Sequence, residues 1–371
     1  MRTPLCDRLG IEYPIFAFSH CRDVVAAVTN AGGIGVLGAV AHSPAALETD
    51  LAWIDAQVGG KSYGVDLLLP VNFAPTDGAQ PKTDSLFPPE QVAFVEELLE
   101  RHNVPPLPDG VDARRASMSV SPEANSTLLD IALDHPIRLL ASALGPPSQD
   151  LIDRAHERDI LVAALVGAAS HARRQQEAGV DLIVAQGTEA GGHTGTVSTM
   201  VLVPEVVRAA TPLPVLAAGG IVTGAQVAAA MALGAQGVWC GSVWLTTAEA
   251  ETDPVVKQKM LAASSSDTVR SRSLTGKPAR MLRTAWTEEW EADQAPPPLP
   301  MPLQTLLVAS AQQRIARDAR TPGSGAEQLA TYFVGQGVGL MDQVRPARQV
   351  VEEMVSGYLE VAEQFARQVG S

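Results

Sequence analysis

Eight strand-length apolar runs alternate along this chain with stretches of helical character, and that alternation limits the fold more than any other feature. The runs cover residues 14–18, 33–39, 64–69, 137–144, 160–166, 181–187, 214–219 and 237–245. Hydrophobicity is nearly continuous within each, which predicts parallel strands covered on both faces; a sheet with one face in water would alternate instead. Helices fit between most of them, at 23–31, 44–58, 123–134, 148–158, 170–178, 203–210 and 223–233. Ser43, Ser121, Ser170 and Thr223 stand near helix starts, and Gly32, Gly179 and Gly234 follow helix ends. Eight strand–helix units predict an α/β fold of the (β/α)8 TIM-barrel type rather than an open sheet.

Two segments break the repeat. Residues 71–120 are rich in proline and charge, with one helical stretch at 89–102, and they interrupt the barrel after its third strand. The second break starts near residue 251 and runs to 323, and it contains Gln294-Ala-Pro-Pro-Pro-Leu-Pro-Met-Pro302. That run reads as an extended strap over the barrel, because too few residues follow it for another large core. The expected organisation is a barrel over 1–250, a basic and proline-rich lid or strap over 251–323, and helices over 324–371 that pack back on the barrel. The last helix, 344–367, carries Val344, Ala347, Val351, Met354, Tyr358, Val361 and Phe365 three and four apart. One narrow apolar stripe of this kind predicts packing on the barrel wall, with a homodimer contact as the alternative.

Composition narrows the partners. With 371 residues, 46% apolar and 18% charged, the chain is globular and can bury a large core. A formal charge of −14 argues against nucleic acid or an anionic membrane surface as partner. Three cysteines, Cys6, Cys21 and Cys240, are too few and too scattered for a disulfide framework or a zinc site, and no metal is expected. The first residues show no apolar signal region, and the longest apolar run, 160–169, is too short to cross a bilayer. These features predict a soluble, cytoplasmic protein.

Chemistry is expected at the strand ends. Ala185-Gln-Gly-Thr-Glu-Ala-Gly-Gly-His-Thr-Gly195 follows a buried run and places His193 in a glycine-rich loop. In barrels of this type the site lies at the C-terminal ends of the strands, and the loops after strands seven and eight often hold a phosphate. Those loops here are Ala218-Gly-Gly-Ile-Val-Thr223 and Cys240-Gly-Ser242. Gly219 and Gly220 leave no side chain in an anion's way at a helix start, and Ser242 adds a hydroxyl. A neutral His193 imidazole can take a proton from an acidic carbon or return one. Gln186 can hydrogen-bond the edge of a ring, whereas Glu189 is read as solvated or as orienting the histidine.

The run Gln186-Gly-Thr-Glu-Ala-Gly-Gly-His-Thr-Gly195, followed by Ala217-Ala-Gly-Gly-Ile221 and Ala232-Leu-Gly-Ala-Gln-Gly-Val238, resembles the nitronate monooxygenase family, formerly called 2-nitropropane dioxygenases. Thr3-Pro-Leu-Cys-Asp-Arg-Leu-Gly-Ile-Glu-Tyr-Pro-Ile15, Asn30-Ala-Gly-Gly-Ile-Gly-Val-Leu-Gly38 and Gly335-Gln-Gly-Val-Gly-Leu-Met341 are similar too. The resemblance implies FMN in a (β/α)8 barrel, with His193 as catalytic base and Gln186 as a flavin contact. Gly191 and Gly192 match the family's glycine-rich loop, and Gly219 and Gly220 its phosphate loop. Trp239, Cys240, Gly241 and Ser242 would close the site. The implied reaction oxidises an alkyl nitronate with O2 to a carbonyl compound and nitrite.

The chain departs from the family in two places. After the first strand, where the family usually has a Gln-Ala-Pro-Met-like segment, it has Phe16-Ala-Phe-Ser-His-Cys-Arg22, which makes His20 a second candidate histidine at the barrel mouth. Asp66 stands where the family more often has asparagine, so it would contact the flavin through a different edge. Residues 268–283 also carry five bases and no acid: Arg270, Arg272, Lys277, Arg280 and Arg283. Such a segment suits an anionic group, including a CoA-linked substrate, with Arg280 and Arg283 as its contacts, or else it serves a structural role. Three functions therefore compete. They are nitronate oxidation with O2, NAD(P)H-dependent reduction of an enoyl-CoA-type thioester on the same FMN barrel, and a non-catalytic flavin- or phosphate-binding barrel.

Overall fold

The computed structural model describes residues 1–67, 87–108, 122–142 and 145–370. Its centre is a closed barrel of eight parallel strands: β1 (Ile15–Ser19), β2 (Ile34–Gly38), β3 (Gly64–Leu67), β4 (Leu139–Ser142), β5 (Leu161–Val166), β6 (Leu182–Gln186), β8 (Val215–Ala218) and β9 (Gly237–Cys240). The register closes where β9 returns to β1 through Phe16↔Trp239. A two-residue strand, β7 (Gly192–His193), lies outside the barrel. Each of the eight expected runs holds one barrel strand. The far ends of the third and fourth runs, 68–69 and 143–144, lie outside the described residues, as do 71–86 and 109–120 of the insertion and Ser121.

Side chains alternate between two layers on each strand. Phe16, Val36, Leu139, Ala163, Val184, Leu216 and Trp239 fill the barrel interior, and Leu5 and Leu9 of the helix Pro4–Leu9 join them. Val65, Leu140, Val162, Ile183 and Val238 face outward to the helices. Burial on both faces is why these runs read as continuously apolar. Helix ends follow the expected chemistry: the Ser43 and Ser148 hydroxyls accept from backbone N–H groups at their helix starts, and Gly179 closes a helix at φ 94°.

Most boundaries shift by a few residues, and two larger shifts have identifiable reasons. The expected strand 237–245 stops at Cys240, and a tight helical turn, Ser242–Thr246, replaces its second half. The Trp244 indole N–H, 2.7 Å from Cys240 O, holds that turn back on the strand end. The helix expected at 203–210 begins earlier, spanning Thr199–Ala210. Pro204 lies inside the helix, whose first N–H, at Thr199, is capped by a distant carboxylate, Glu189.

The strap is more than an extended cover. Val95, Leu98 and Leu99 of the helix Pro89–Arg101, inside the insertion, pack with Trp286, Trp290, Val308 and Ile315 to make a second core. The Arg314 guanidinium ties the two segments by donating to Val104 O at 2.8 Å and Pro105 O at 3.0 Å, and it pairs with Glu96 at 2.7 Å. Most of this core comes from the strap and the residues after it, and the insertion adds Val95, Leu98, Leu99 and Val104. The last helix, Ala347–Val369, lies along the helix Gly224–Ala232. Ala347, Val350, Val351 and Met354 are buried there, and a Cβ at Gly224 would run into Met354 O. Val344, before the helix, and Phe365, near its end, are both exposed, so the wall covers only the middle of the expected stripe.

All three cysteines are free. Among the described residues no helix is long and apolar enough to cross a membrane.

Candidate active site

The mouth at the C-terminal ends of the strands has a floor of aromatic rings. Trp239 stacks between Phe16, 6.2 Å away, and Phe18, 6.3 Å away, in near-parallel planes. The His20 ring meets Phe18 edge-on at 5.1 Å, and its Nδ1 lies 2.7 Å from Gly38 O. Part of His20 is open to solvent, yet the surrounding protein mass lowers its pKa by desolvation. Asp66 takes its place in β3 beside Gly38 and Ala141, on the interior face. Burial with no compensating charge raises its carboxyl to about 7. Gln186, the last residue of β6, is half-buried. The Cys240 side chain belongs to the outer layer, where burial pushes its thiol up to about 12, so only its backbone is left to face the mouth.

On one side of the mouth the loop after β8 is stitched by its own neighbours. The Gln226 side chain accepts from Val222 N at 2.8 Å and Thr223 N at 3.0 Å and donates to Gly220 O at 2.8 Å. Thr223 Oγ1 accepts from Gln226 N in return, which completes a capping box. Because Val222 N–H and Thr223 N–H are already satisfied, an anion in this loop has to be held at Gly219 and Gly220. Both glycines have positive φ, 114° and 72°. Ser242 Oγ accepts from Gly335 N at 2.8 Å and keeps its own proton to donate.

The opposite side is held from far along the chain. After β7, the basic segment folds into a hairpin, β10 (Thr268–Ser271) and β11 (Ala279–Leu282), and β11 pairs with β7 through Ala279↔His193 and Arg280↔Gly192. Arg280 is buried and donates to Thr188 O at 2.9 Å and to Thr268 Oγ1 at 3.1 Å. Arg270 donates to Thr194 O at 3.0 Å. Two arginines opposite each other would repel, but each is drawn to a carbonyl of the His193 loop. Arg272 donates to Gly276 O at 2.8 Å, and Arg283 is exposed beside Asp267. Arg280, expected as a ligand contact, is thus engaged inside the protein.

His193 itself is half-buried, with Nδ1 3.3 Å from Pro278 O. Desolvation lowers its pKa, and the nearby Lys277 charge lowers it further. Glu189 does not orient the histidine. Its carboxylate accepts from Thr199 N at 2.9 Å and Thr199 Oγ1 at 2.9 Å, and Thr199 Oγ1 in turn lies 3.1 Å from Gly219 O. The segment after residue 334 closes the ring. Gln336 N donates to Glu189 O at 2.8 Å, and a Cβ at Gly191 would lie 2.9 Å from Val334 C. Gly191 is therefore required by backbone packing. A Cβ at Gly192 would meet nothing within 4 Å, and one at Gly241 only Phe18, at 3.8 Å.

A closed barrel with these groups gathered at its C-terminal mouth is a (β/α)8-barrel enzyme by architecture. The chain matches the nitronate monooxygenase family over residues 2–357, and it belongs to that family and is an oxidoreductase of that kind. A Mycobacterium tuberculosis protein described as "Putative monooxygenase Rv1533" is 61% identical over 370 residues, covering 98% of both chains. Among solved structures, FabK from Thermotoga maritima is similar over 99% of each chain, with 28% identity and a TM-score of 0.73. Nitroalkane oxidase from Streptomyces ansochromogenes superposes over 98% of this chain and 100% of its own, with a TM-score of 0.80; at 24% identity that likeness speaks for the fold.

The residues present fit the FMN that the resemblance implies. A side chain at Gly192 would meet nothing, which leaves room beside the aromatic rings of Phe18 and Trp239. Gly219, Gly220 and Ser242 suit a phosphate on one side, while Asp66 and Gln186 offer polar groups to a ring at the floor. The hairpin's pairing with β7 was not legible in the sequence. Its only signal was an unexplained basic run.

Proposed function

We propose that this protein is an FMN-dependent nitronate monooxygenase that oxidises alkyl nitronates with O2 to a carbonyl compound and nitrite, with His193 as base. The position of His193 Nδ1 carries this reading. A backbone carbonyl has no proton to give, so against Pro278 O the Nδ1 atom bears the hydrogen and Nε2 keeps a free lone pair. The lowered pKa keeps the imidazole neutral at neutral pH, ready to accept a proton. A nitroalkane has an acidic hydrogen on the carbon beside its nitro group; Nε2 takes that proton, and the nitronate is the product of the transfer.

FMN, when bound, supplies the redox chemistry, accepting electrons from the nitronate and passing them to oxygen. Gly219, Gly220, Gly241 and Ser242 would hold its phosphate, and Asp66 and Gln186 its ring, with the Gly191–Gly192 turn and Trp239 alongside. The hairpin's arginines then serve to fix the His193 loop, which leaves the enoyl-CoA reading without its dedicated anion contact at Arg280.

Anaerobic stopped-flow of the purified flavoprotein, mixed in parallel with a nitronate and with NAD(P)H, tests the proposal. Bleaching of the flavin by nitronate at a catalytic rate, with nitrite released once oxygen is admitted, is the expected result. Bleaching by NAD(P)H with reoxidation by an enoyl thioester would replace it with the reductase reading.

A further inference from the structure

We infer that Lys277 is the substrate-anion contact of this site: its ammonium group, next to His193, holds the negatively charged oxygens of a nitronate or of another small planar oxyanion. The inference rests on the nitronate reading for the name of the substrate, but its geometry is independent of it. Of the five bases in the hairpin, Arg270, Arg272 and Arg280 each donate to protein oxygens, and Arg283 is exposed beside Asp267. Lys277 is exposed, and among the described residues its ammonium makes no hydrogen bond or ion pair.

Its position is fixed by the chain around it. Lys277 precedes Pro278, whose carbonyl is the partner of His193 Nδ1. It stands two residues ahead of Ala279, which pairs directly with His193, so the bend that carries Lys277 lies against the histidine, close enough for its charge to act on the imidazole. The turn is anchored as well. Thr275 Oγ1 donates to Lys277 O at 3.1 Å, and a Cβ at Gly276 would collide with Leu299 O of the proline-rich strap. Buried Gln304 clips the same strap to the hairpin, donating to Ser273 O and accepting from Leu299 N, both at 2.9 Å.

The other charges around His193 are already occupied. Arg270 and Arg280 are drawn to Thr194 O and Thr188 O, and Glu189 is turned to Thr199. A positive charge beside a neutral base has two uses. It keeps the imidazole unprotonated, and it stabilises the anion that forms when the imidazole takes a carbon-bound proton.

The test uses the full-length flavoprotein with isotope-labelled histidine, the His193 resonance being the one of seven that is lost in His193→Asn. Nitrate is the probe, as a planar oxyanion that cannot react. In Lys277→Gln, His193 is expected to titrate at higher pH than in wild type. Nitrate should then shift its resonance only at roughly tenfold higher concentration, as expected for loss of one charge-assisted contact. Lys277→Arg should retain both behaviours. Nitrate dependence unchanged in Lys277→Gln overturns the inference whatever the titration does, and so does a wild-type His193 signal that ignores nitrate. If the wild type releases no nitrite from nitronates while nitrate binding still answers to Lys277, the nitronate reading falls and the anion contact stands.

Discussion

The two sides of the barrel mouth are built in opposite ways. On the phosphate side, Gln226 and Thr223 satisfy the loop from three to six residues away. On the histidine side the loop has short-range bonds of its own, such as Thr188 N to Val197 O, but what sets its place comes from far along the chain: Arg270 from 76 residues on, Pro278 from 85, Arg280 from 92. A locally stitched loop keeps its shape wherever its helix stands. A loop stitched at long range holds its shape only when the second core is assembled, because the hairpin's strap and helices belong to that core. Binding of a phosphate and placement of a base therefore draw on different parts of the chain.

Substitutions separate the two sides. His193→Asn should lower turnover of a neutral nitroalkane by roughly 10²–10⁴-fold, the usual contribution of a positioned base, while the flavin spectrum stays unchanged. A variant that keeps full turnover would remove the base from the histidine side altogether. Next in size is Arg280→Ala, which leaves Thr188 O and Thr268 Oγ1 without their donor. The expected cost is about 1–3 kcal/mol of stability by thermal melting, together with a fall in kcat and little change in flavin affinity.

The floor between the two sides responds to pH. Asp66 has a folded-state pKa of about 7 against an ordinary 3.8. The folded protein thus holds a proton that the unfolded chain releases, so the stability linked to it is complete below the ordinary value and is lost as pH rises through about 7. Asp66→Asn cannot ionise, and its melting temperature relative to wild type should climb between about pH 4 and about pH 7 and level off above. Melting differences that stay flat over that range would show that Asp66 ionises freely in the fold. The lowered pKa of His193 has a different consequence: turnover should be level at neutral pH and decline as acid protonates the imidazole.

Gln226→Ala gives the smallest effect. Loss of its side of the capping box should cost about 1 kcal/mol. It should weaken flavin binding, measured by flavin fluorescence, and leave kcat of the loaded enzyme as it was. A fall in kcat with binding intact would mean that the two sides are coupled.

Much of this was legible in the linear chain. Eight runs such as 160–166 and 181–187 are apolar throughout because their strands are buried on both faces, and burial of that kind leaves its mark on every residue. The helix start at Thr223 was readable for a similar reason, since the groups it caps lie within one helical turn. The early start of the helix Thr199–Ala210 was not readable, because its cap, Glu189, lies ten residues back across a loop. The second core was hidden too. Its parts, around Leu98, Trp286 and Ile315, lie far apart in the chain, so no contiguous pattern joins them.

By itself the sequence determined the barrel, the family and the identity of His193 as the histidine at its mouth, because local periodicity and contiguous motifs carry that information. Only the tertiary structure decided what His193 faces and what the basic run does. Pairing of β11 with β7 sets Pro278 O against Nδ1 and turns two arginines inward to the loop. Contacts between residues so far apart follow from where folded elements meet, and no short window of sequence contains both partners.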